Sequence, residues 1–212
     1  SVFSGYDHNY VLDNKEKVTK FINIIKQENK RMLSQVEKVL QMAQIDKENL
    51  ELKLNPLNIH DLITDAVVNA ELKVQAKGGT ITTKLLATQP VIEGDATHIS
   101  SIINNLLDNA EKYTPNHPEI IIGTNNVKGG VEFYVTDNGI GMTKEAVRYI
   151  FEKFYRVHTG NLHDVKGFGL GLSYVRAMID AHHGKVTVKS EPGKGSTFTV
   201  YLPARQNKLK TD

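Results

Sequence analysis

Two glycine-bearing turns, Asp137-Asn138-Gly139-Ile140-Gly141 and Gly167-Phe168-Gly169-Leu170-Gly171, follow a helical pattern that holds Asn105-Leu106-Leu107-Asp108-Asn109-Ala110, and they constrain this chain most. Each cluster falls at the end of a predicted strand or the start of a predicted helix, so strands and helices must alternate and bring these ends together. An acidic residue closing a strand, turns that admit close backbone approach, and amide side chains on a helix are what a nucleotide pocket needs.

Upstream of these clusters the pattern is different. From about Asn14, Val18, Ile22, Ile25, Asn29, Met32, Val36, Val39 and Ala43 recur at alternating spacings of four and three, a heptad seam. Phe21, Leu33 and Leu40 widen the apolar stripe to one that suits a helical bundle. One helix cannot bury that face alone, so its partners come from another copy or from residues outside this chain. Asn55-Pro56 ends the helix, because proline drives its predecessor out of the α region. The expected organisation is an irregular segment at 1–12, the long helix within 13–53, a mixed helix-and-strand domain at 54–205 and a tail at 206–212.

Within that domain the sequence predicts a helix from about Asp61 to Ala76, a strand at Thr80 to Leu86, a short strand near Val91 and a helix from about Asp95 to Tyr113. Strands at Glu119 to Asn125 and Val131 to Asp137 join through Lys128-Gly129-Gly130, and a short helix follows near Lys144 to Ile150. Residues 154–167 have no period and read as a long loop, a lid; a helix from about Gly169 to His182 and strands at Lys185 to Ser190 and Ser196 to Leu202 close the domain.

The 212 residues are 40% hydrophobic and 24% charged, enough for one good core and a smaller element. A formal charge of +2 gives no global pull toward nucleic acid or membrane, and neither contact is expected of this chain. Without cysteine there is neither a disulfide framework nor Cys-ligated zinc, and no apolar run reaches the length of a membrane span.

The clusters carry specific chemistry. Asn105 and Asn109, four apart, share a helix face that Lys112 joins, and amide oxygens beside an ammonium suit a magnesium-phosphate corner. The same spacing also describes a polar stripe on an amphipathic helix. Asp137 follows Val131, Phe133 and Val135 at alternate positions, which turns it inward, where a desolvated carboxylate needs a donor such as an adenine amino group. Asp-Asn-Gly is equally an everyday turn. The second glycine cluster opens a helix whose free amides can receive phosphate oxygens, yet it has neither Rossmann spacing nor the Gly-Lys-Ser/Thr of a Walker A loop.

In order, the clusters resemble the nucleotide-binding domain of sensor histidine kinases, within the superfamily that includes gyrase, Hsp90 and MutL. Asn105 to Thr114 matches the N box, Asp137 to Met142 the G1 box, Phe151 to Arg156 the F box, Lys166 to Leu172 the G2 box and Gly193 to Phe198 the terminal glycine motif. The resemblance covers about residues 56–204. It implies an α+β fold, a two-layer sandwich of Bergerat type with a mixed sheet and three main helices, plus the long N-terminal helix. It implies ATP with Mg2+, Asn109 as the main metal ligand assisted by Asn105, Lys112 at the phosphates, Tyr113 near the adenine, and Asp137 reading the amino group. Lys153 or Arg156 would reach the phosphates, and Gly167, Gly169 and Gly171 would give the lid its mobility. Gly139, Ile140, Gly141, Phe168, Leu170 and Thr197 complete the implied nucleotide-binding set. Lys166 and Phe168 depart from the Gly and Ser or Thr common in the family.

Hydrolysing relatives place a glutamate at the first N-box position, whereas Asn105 cannot act as a base. That favours phosphoryl transfer to histidine, with the imidazole as nucleophile. None of the eight histidines lies in a phosphoacceptor motif of His-Glu-x-x-Thr-Pro type; each reads as a surface or packed residue, with His182 and His183 ending the last helix where a cation favours the dipole. The 15–46 helix resembles the second dimerisation helix of the family. The first helix and its histidine are then expected before residue 1, in a homodimeric receptor whose cytoplasmic portion this is, anchored in the inner membrane and paired with a response regulator receiver domain. The chain alone is expected not to phosphorylate itself. The alternatives are a nucleotide-binding regulatory module or degenerate kinase, and a hydrolysing ATPase of the gyrase type.

Overall fold

The computed structural model describes residues 17–26, 28–29, 32–33, 36, 51–156 and 169–206. The chain divides into two compact units, Ser1–Asn49 and Leu50–Asp212. In the first, residues 17–26 and the other described positions are helical. Ile22, Ile25, Met32, Leu33 and Val36 of its apolar seam are all exposed. Leu40, Val39 and Ala43 lie outside the described residues.

The second unit runs β1 (Asn55–Asn58), α1 (Ile59–Ala76), β2 (Thr80–Leu85), β3 (Val91–Gly94), α2 (Ala96–Lys112), β4 (Glu119–Val127), β5 (Gly130–Asp137), α3 (Lys144–Tyr149), α4 (Gly171–Ala181), β6 (Lys185–Glu191) and β7 (Gly195–Pro203). Five strands form a mixed sheet in the order β2-β4-β5-β7-β6, with β2 and β4 parallel and the other pairs antiparallel. β1 and β3 form a separate two-stranded ribbon.

One face of the sheet is buried. Alternation puts Ile120 and Ile122 of β4, Val131, Phe133 and Val135 of β5, and Phe198, Val200 and Leu202 of β7 on that face. They meet the apolar stripes of three helices: Ile59, Ile63, Ala66, Ala70 and Val74 on α1, Ile99, Ile102, Ile103, Leu106, Leu107 and Ala110 on α2, and Val175, Met178 and Ile179 on α4. This is the two-layer α+β arrangement expected, with α1, α2 and α4 as its main helices.

Local chemistry sets the element ends. The Asn58 side chain accepts the His60 N–H at 3.0 Å and so starts α1 two residues before the Asp61 boundary expected. Asp95 caps α2 and Thr143 caps α3. α4 begins at Gly171, and its N-cap Leu170 offers no side-chain cap. Lys77 closes the other end of the α1–α2 pair, bridging Glu111 at 2.6 Å and donating to the Glu111 carbonyl at 2.7 Å. The strand β1 carries no alternation that its four residues could display, and its pairing with β3 (Asn55 opposite Gly94) was not expected from the sequence.

Candidate functional site

The register that buries β5 carries Asp137 to the inner face at the end of the sheet, opposite Ser196 of β7. Asp137 is 7% exposed, and its Oδ1 accepts the Gly139 N–H at 2.9 Å and the Ser196 N–H at 3.2 Å. Burial raises the carboxyl above the usual carboxylate range, and those two backbone bonds oppose the rise only in part. Among the described residues no hydrogen bond reaches Oδ2, which leaves an acceptor with an unused lone-pair direction on an otherwise buried side chain.

The turn after Asp137 needs its glycines for two different reasons. A Cβ on Gly139 would lie 2.5 Å from the Tyr113 carbonyl and 2.8 Å from Asp137 Oδ1. Gly141 adopts φ +63°, and a Cβ there would run into the Glu191 carbonyl. The turn is pinned at both sides, by Ile140 N–H on the Tyr113 carbonyl at 3.1 Å and Gly193 N–H on the Ile140 carbonyl at 2.8 Å.

Opposite this turn runs α2. Asn109 is half-buried, and among the described residues its carboxamide makes no hydrogen bond. One turn earlier, Asn105 donates through Nδ2 to the Ser101 carbonyl at 2.8 Å. That bond orients Oδ1 toward the first residue of α4, where a Cβ on Gly171 would lie 2.9 Å from it. Tyr113 is the C-terminal cap of α2, and burial raises its phenol above the usual range while the nearby Arg156 charge acts against the rise. The Lys112 ammonium sits 5.5 Å above the Tyr113 ring.

These parts form an open cleft whose walls include Asn109, Tyr113, Asp137, Ile140, Gly141 and Arg156. All six are among the expected site residues. Asn105 and Gly139 stand directly behind this wall, against Gly171 and Asp137 respectively. Gly169 and Leu170 lead into α4, and the Gly169 carbonyl accepts the Phe154 N–H at 3.1 Å. Gly167 and Phe168, with most of the expected lid, lie outside the described residues.

Three expectations change. Thr197 does not line the cleft: it is on the opposite face of β7, its hydroxyl 3.0 Å from that of Thr136, and Ser196 lines the cleft instead. Counting by two from the buried Phe198 points to Ser196, a signal in the sequence that the glycine motif hid. Of the two F-box cations, Arg156 lines the cleft and Lys153 does not. His182 is not a surface cation at a helix end. It is fully buried, with Nδ1 donating to the Met178 carbonyl at 2.7 Å and Nε2 accepting the Asp95 N–H at 3.0 Å, a neutral tautomer. Apolar cleft residues not assigned to nucleotide binding from the sequence are Met142, Ile150, Leu172 and Phe198, which supply apolar contact area for a planar ring. Their types mark them only as core until the fold closes around them.

Of the other described histidines, His60 and His98 pack locally, His60 Nε2 2.8 Å from the Thr124 hydroxyl and His98 Nδ1 2.8 Å from that of Tyr174, while His117 and His183 are exposed. Among the described residues no three of His, Cys, Asp and Glu converge on a metal position, and no helix is long and apolar enough to cross a membrane.

Comparison with known proteins agrees with this geometry. Residues 94–206 match the family described as histidine kinase-, DNA gyrase B-, and HSP90-like ATPase. The chain is 46% identical over 186 residues to the sensor protein RprX of Bacteroides fragilis (strain YCH46), covering 87% of this chain and 36% of RprX. The match thus spans about a third of that relative's length. The crystal structure of full-length ShkA in complex with AMPPNP superposes with TM-score 0.78 at 27% identity, covering 90% of this chain and 40% of ShkA. Histidine kinase ThkA in complex with the response regulator protein TrrA gives TM-score 0.72 at 25% identity, over 92% of this chain and 54% of that one. On these matches the chain belongs to the histidine kinase-, DNA gyrase B- and HSP90-like ATPase family and carries the catalytic domain of sensor histidine kinases.

Proposed function

We propose that this chain holds ATP with Mg2+ in the cleft between α2, the Asp137 turn and the start of α4, and presents its γ-phosphoryl group to a histidine on a dimerisation helix outside the chain. The acceptor then passes the group to an aspartate in the receiver domain of a response regulator. Asp137 carries the reading: Oδ1 is occupied by two backbone donors, and Oδ2 awaits a donor from within the cleft. An adenine amino group is such a donor, and Met142, Ile150 and Phe198 give its ring apolar walls.

The amide side chains fit the metal. Magnesium takes hard oxygen ligands, few of them from protein, and Asn109 has a carboxamide without a partner among the described residues while Asn105 holds its oxygen beside Gly171. Bound ATP supplies the transferable group, and its metal ion neutralises charge on the phosphate oxygens. Arg156 lines the cleft and adds a fixed positive charge, and the uncapped amides of α4 add donors for phosphate. Asn105 has no basic atom with which to activate water, so the protein does not favour hydrolysis. In transfer, an imidazole nitrogen forms a bond to the γ-phosphorus as the bond to the β,γ-bridging oxygen breaks, and ADP leaves with that oxygen.

ShkA with AMPPNP supports the nucleotide and ThkA with TrrA supports the receiver partner. In this reading residues 13–53 are the second dimerisation helix of a homodimer, 54–205 the catalytic domain and 206–212 a tail, the whole being the cytoplasmic portion of a membrane-anchored receptor. The test uses γ-labelled ATP and Mg2+ with this chain and with a longer one that includes the upstream helix. Acid-labile label on the upstream histidine, and none retained by the chain alone, is the expected result. Label on one of the eight histidines of this chain contradicts it. Nucleotide binding without transfer in the longer chain assigns the domain to regulation instead.

A further inference from the structure

Asp95 stands outside the cleft, yet three segments meet on it. Its Oδ1 caps α2, accepting the N–H groups of Thr97 at 3.0 Å and His98 at 3.3 Å. Its Oδ2 accepts the N–H of Lys53 at 3.0 Å. Its own N–H is donated to His182 Nε2 at 3.0 Å, and His182 is the C-terminal cap of α4. A helix cap requires one oxygen, as serine and threonine caps demonstrate. The second oxygen of Asp95 therefore has a separate role: it holds Lys53, among the first residues of the catalytic unit, which begins at Leu50.

The two helices that end on Asp95 are those whose other ends reach the cleft. α2 has 17 residues and α4 has 11, rigid rods of roughly 25 and 16 Å at the usual rise per residue. α2 delivers Asn109 to the cleft and α4 delivers Leu172. Burial alone would raise the Asp95 carboxyl, but the bonds from Lys53, His98 and Thr97 and the charge of His98 outweigh it and hold the group below the usual carboxylate value.

We propose that Asp95 is a positioning residue that couples docking of the Lys53 segment to occupancy of the nucleotide cleft. The proposal rests on the nucleotide reading of the cleft given above. A nucleotide that fixes the cleft ends of α2 and α4 also fixes the geometry in which Asp95 accepts Lys53. Linkage makes the effect reciprocal, so a docked segment tightens nucleotide binding by the same factor.

Hydrogen exchange at the Lys53 amide of the full chain, with and without saturating ATP and Mg2+, tests this, with calorimetry on the same sample reporting whether nucleotide binds. ATP is expected to slow that exchange about fivefold or more, the low end of ordinary coupling energies. Asp95→Asn retains an oxygen for Thr97 and His98 but turns an NH2 toward the Lys53 N–H, and Asp95→Ser retains one cap oxygen and none for Lys53. In both variants Lys53 exchange should rise about tenfold and lose its dependence on ATP, while Leu106 inside α2 stays protected. If ATP binds and the Lys53 amide does not respond, the coupling is refuted while the cleft reading stands. A response that persists in both variants refutes the role of Asp95. If ATP does not bind, the cleft reading fails first and the proposal with it.

Discussion

Of the buried titratable residues, His182 and Asp137 act in opposite directions on how the ligand-free protein responds to acid. His182 is neutral in the folded protein, held below the usual imidazole value by burial, with weaker opposing and reinforcing contributions from Met178, His98, Asp95 and His183. In the unfolded chain the same ring takes up a proton near pH 6.5. The unfolded state then binds more protons, so the stability from neutral His182 is complete above that value and falls as pH drops through it toward the folded value. Asp137, raised by burial, binds its proton more readily when folded, and its contribution grows as the solution becomes more acid. Urea unfolding at pH 7.5 and 6.0 should show lower stability at the lower pH, by at most about 1.4 kcal/mol per pH unit for one proton. His182→Gln should flatten this dependence while lowering stability at both values. An unchanged slope would mean that His182 titrates alike in both states. Nothing in Asp-Ala-His-His-Gly fixes this burial; only the packing of α4 against α2 brings the ring beside Gly94 and the Asp95 N–H, which is why a helix-end cation was the sequence expectation.

At the scale of elements, periodicity made most of the fold legible. The spacing of Ile99, Ile102, Ile103, Leu106, Leu107 and Ala110 defines α2 to within a residue of its ends, and the alternation of Val131, Phe133 and Val135 turns Asp137 inward. The four residues of β1, paired by β3 from 33 positions away (Asn58 opposite Val91), have no period and were illegible, whereas the face of β7 that puts Ser196 rather than Thr197 at the cleft was written in its alternation and overlooked. Motif matching assigned Thr197 by similarity, whereas the pleat decides which of two neighbours faces inward. α4 is the element on which the cleft depends most, since it starts without a side-chain cap and is held chiefly by burial of Val175, Met178 and Ile179. Met178→Ala should therefore cost about 2–5 kcal/mol in global stability, measured by denaturant unfolding. A cost under about 1 kcal/mol would mean that α4 is fixed by something other than its packed face.

For the whole molecule, the exposed apolar seam of Ile22, Ile25, Met32, Leu33 and Val36 is the largest departure from an ordinary surface. The chain should self-associate through it, and sedimentation equilibrium should show association that rises with concentration. Ile22→Lys with Ile25→Lys should abolish it; a wild-type protein that stays monomeric at high concentration contradicts that use of the seam. The family was legible from five boxes in order, because nucleotide chemistry demands particular residue types at turns and helix ends. The apolar walls of the cleft were not, because leucine, isoleucine, methionine and phenylalanine look the same in a core and in a binding site until the fold separates them.

The central claim is that Asp137 reads an adenine amino group, and calorimetric titration of ATP and ITP into the wild-type chain and Asp137→Asn tests it most directly. The asparagine oxygen can still accept from Gly139 and Ser196, so the turn survives, but its NH2 then faces the donor of adenine. ITP presents a 6-oxo acceptor at that place. Wild type should bind ATP at least about tenfold more tightly than ITP, and the variant should lose that preference, mainly by weaker ATP binding. Equal affinity of wild type and variant for ATP, or a wild type that does not distinguish the two nucleotides, would contradict the account.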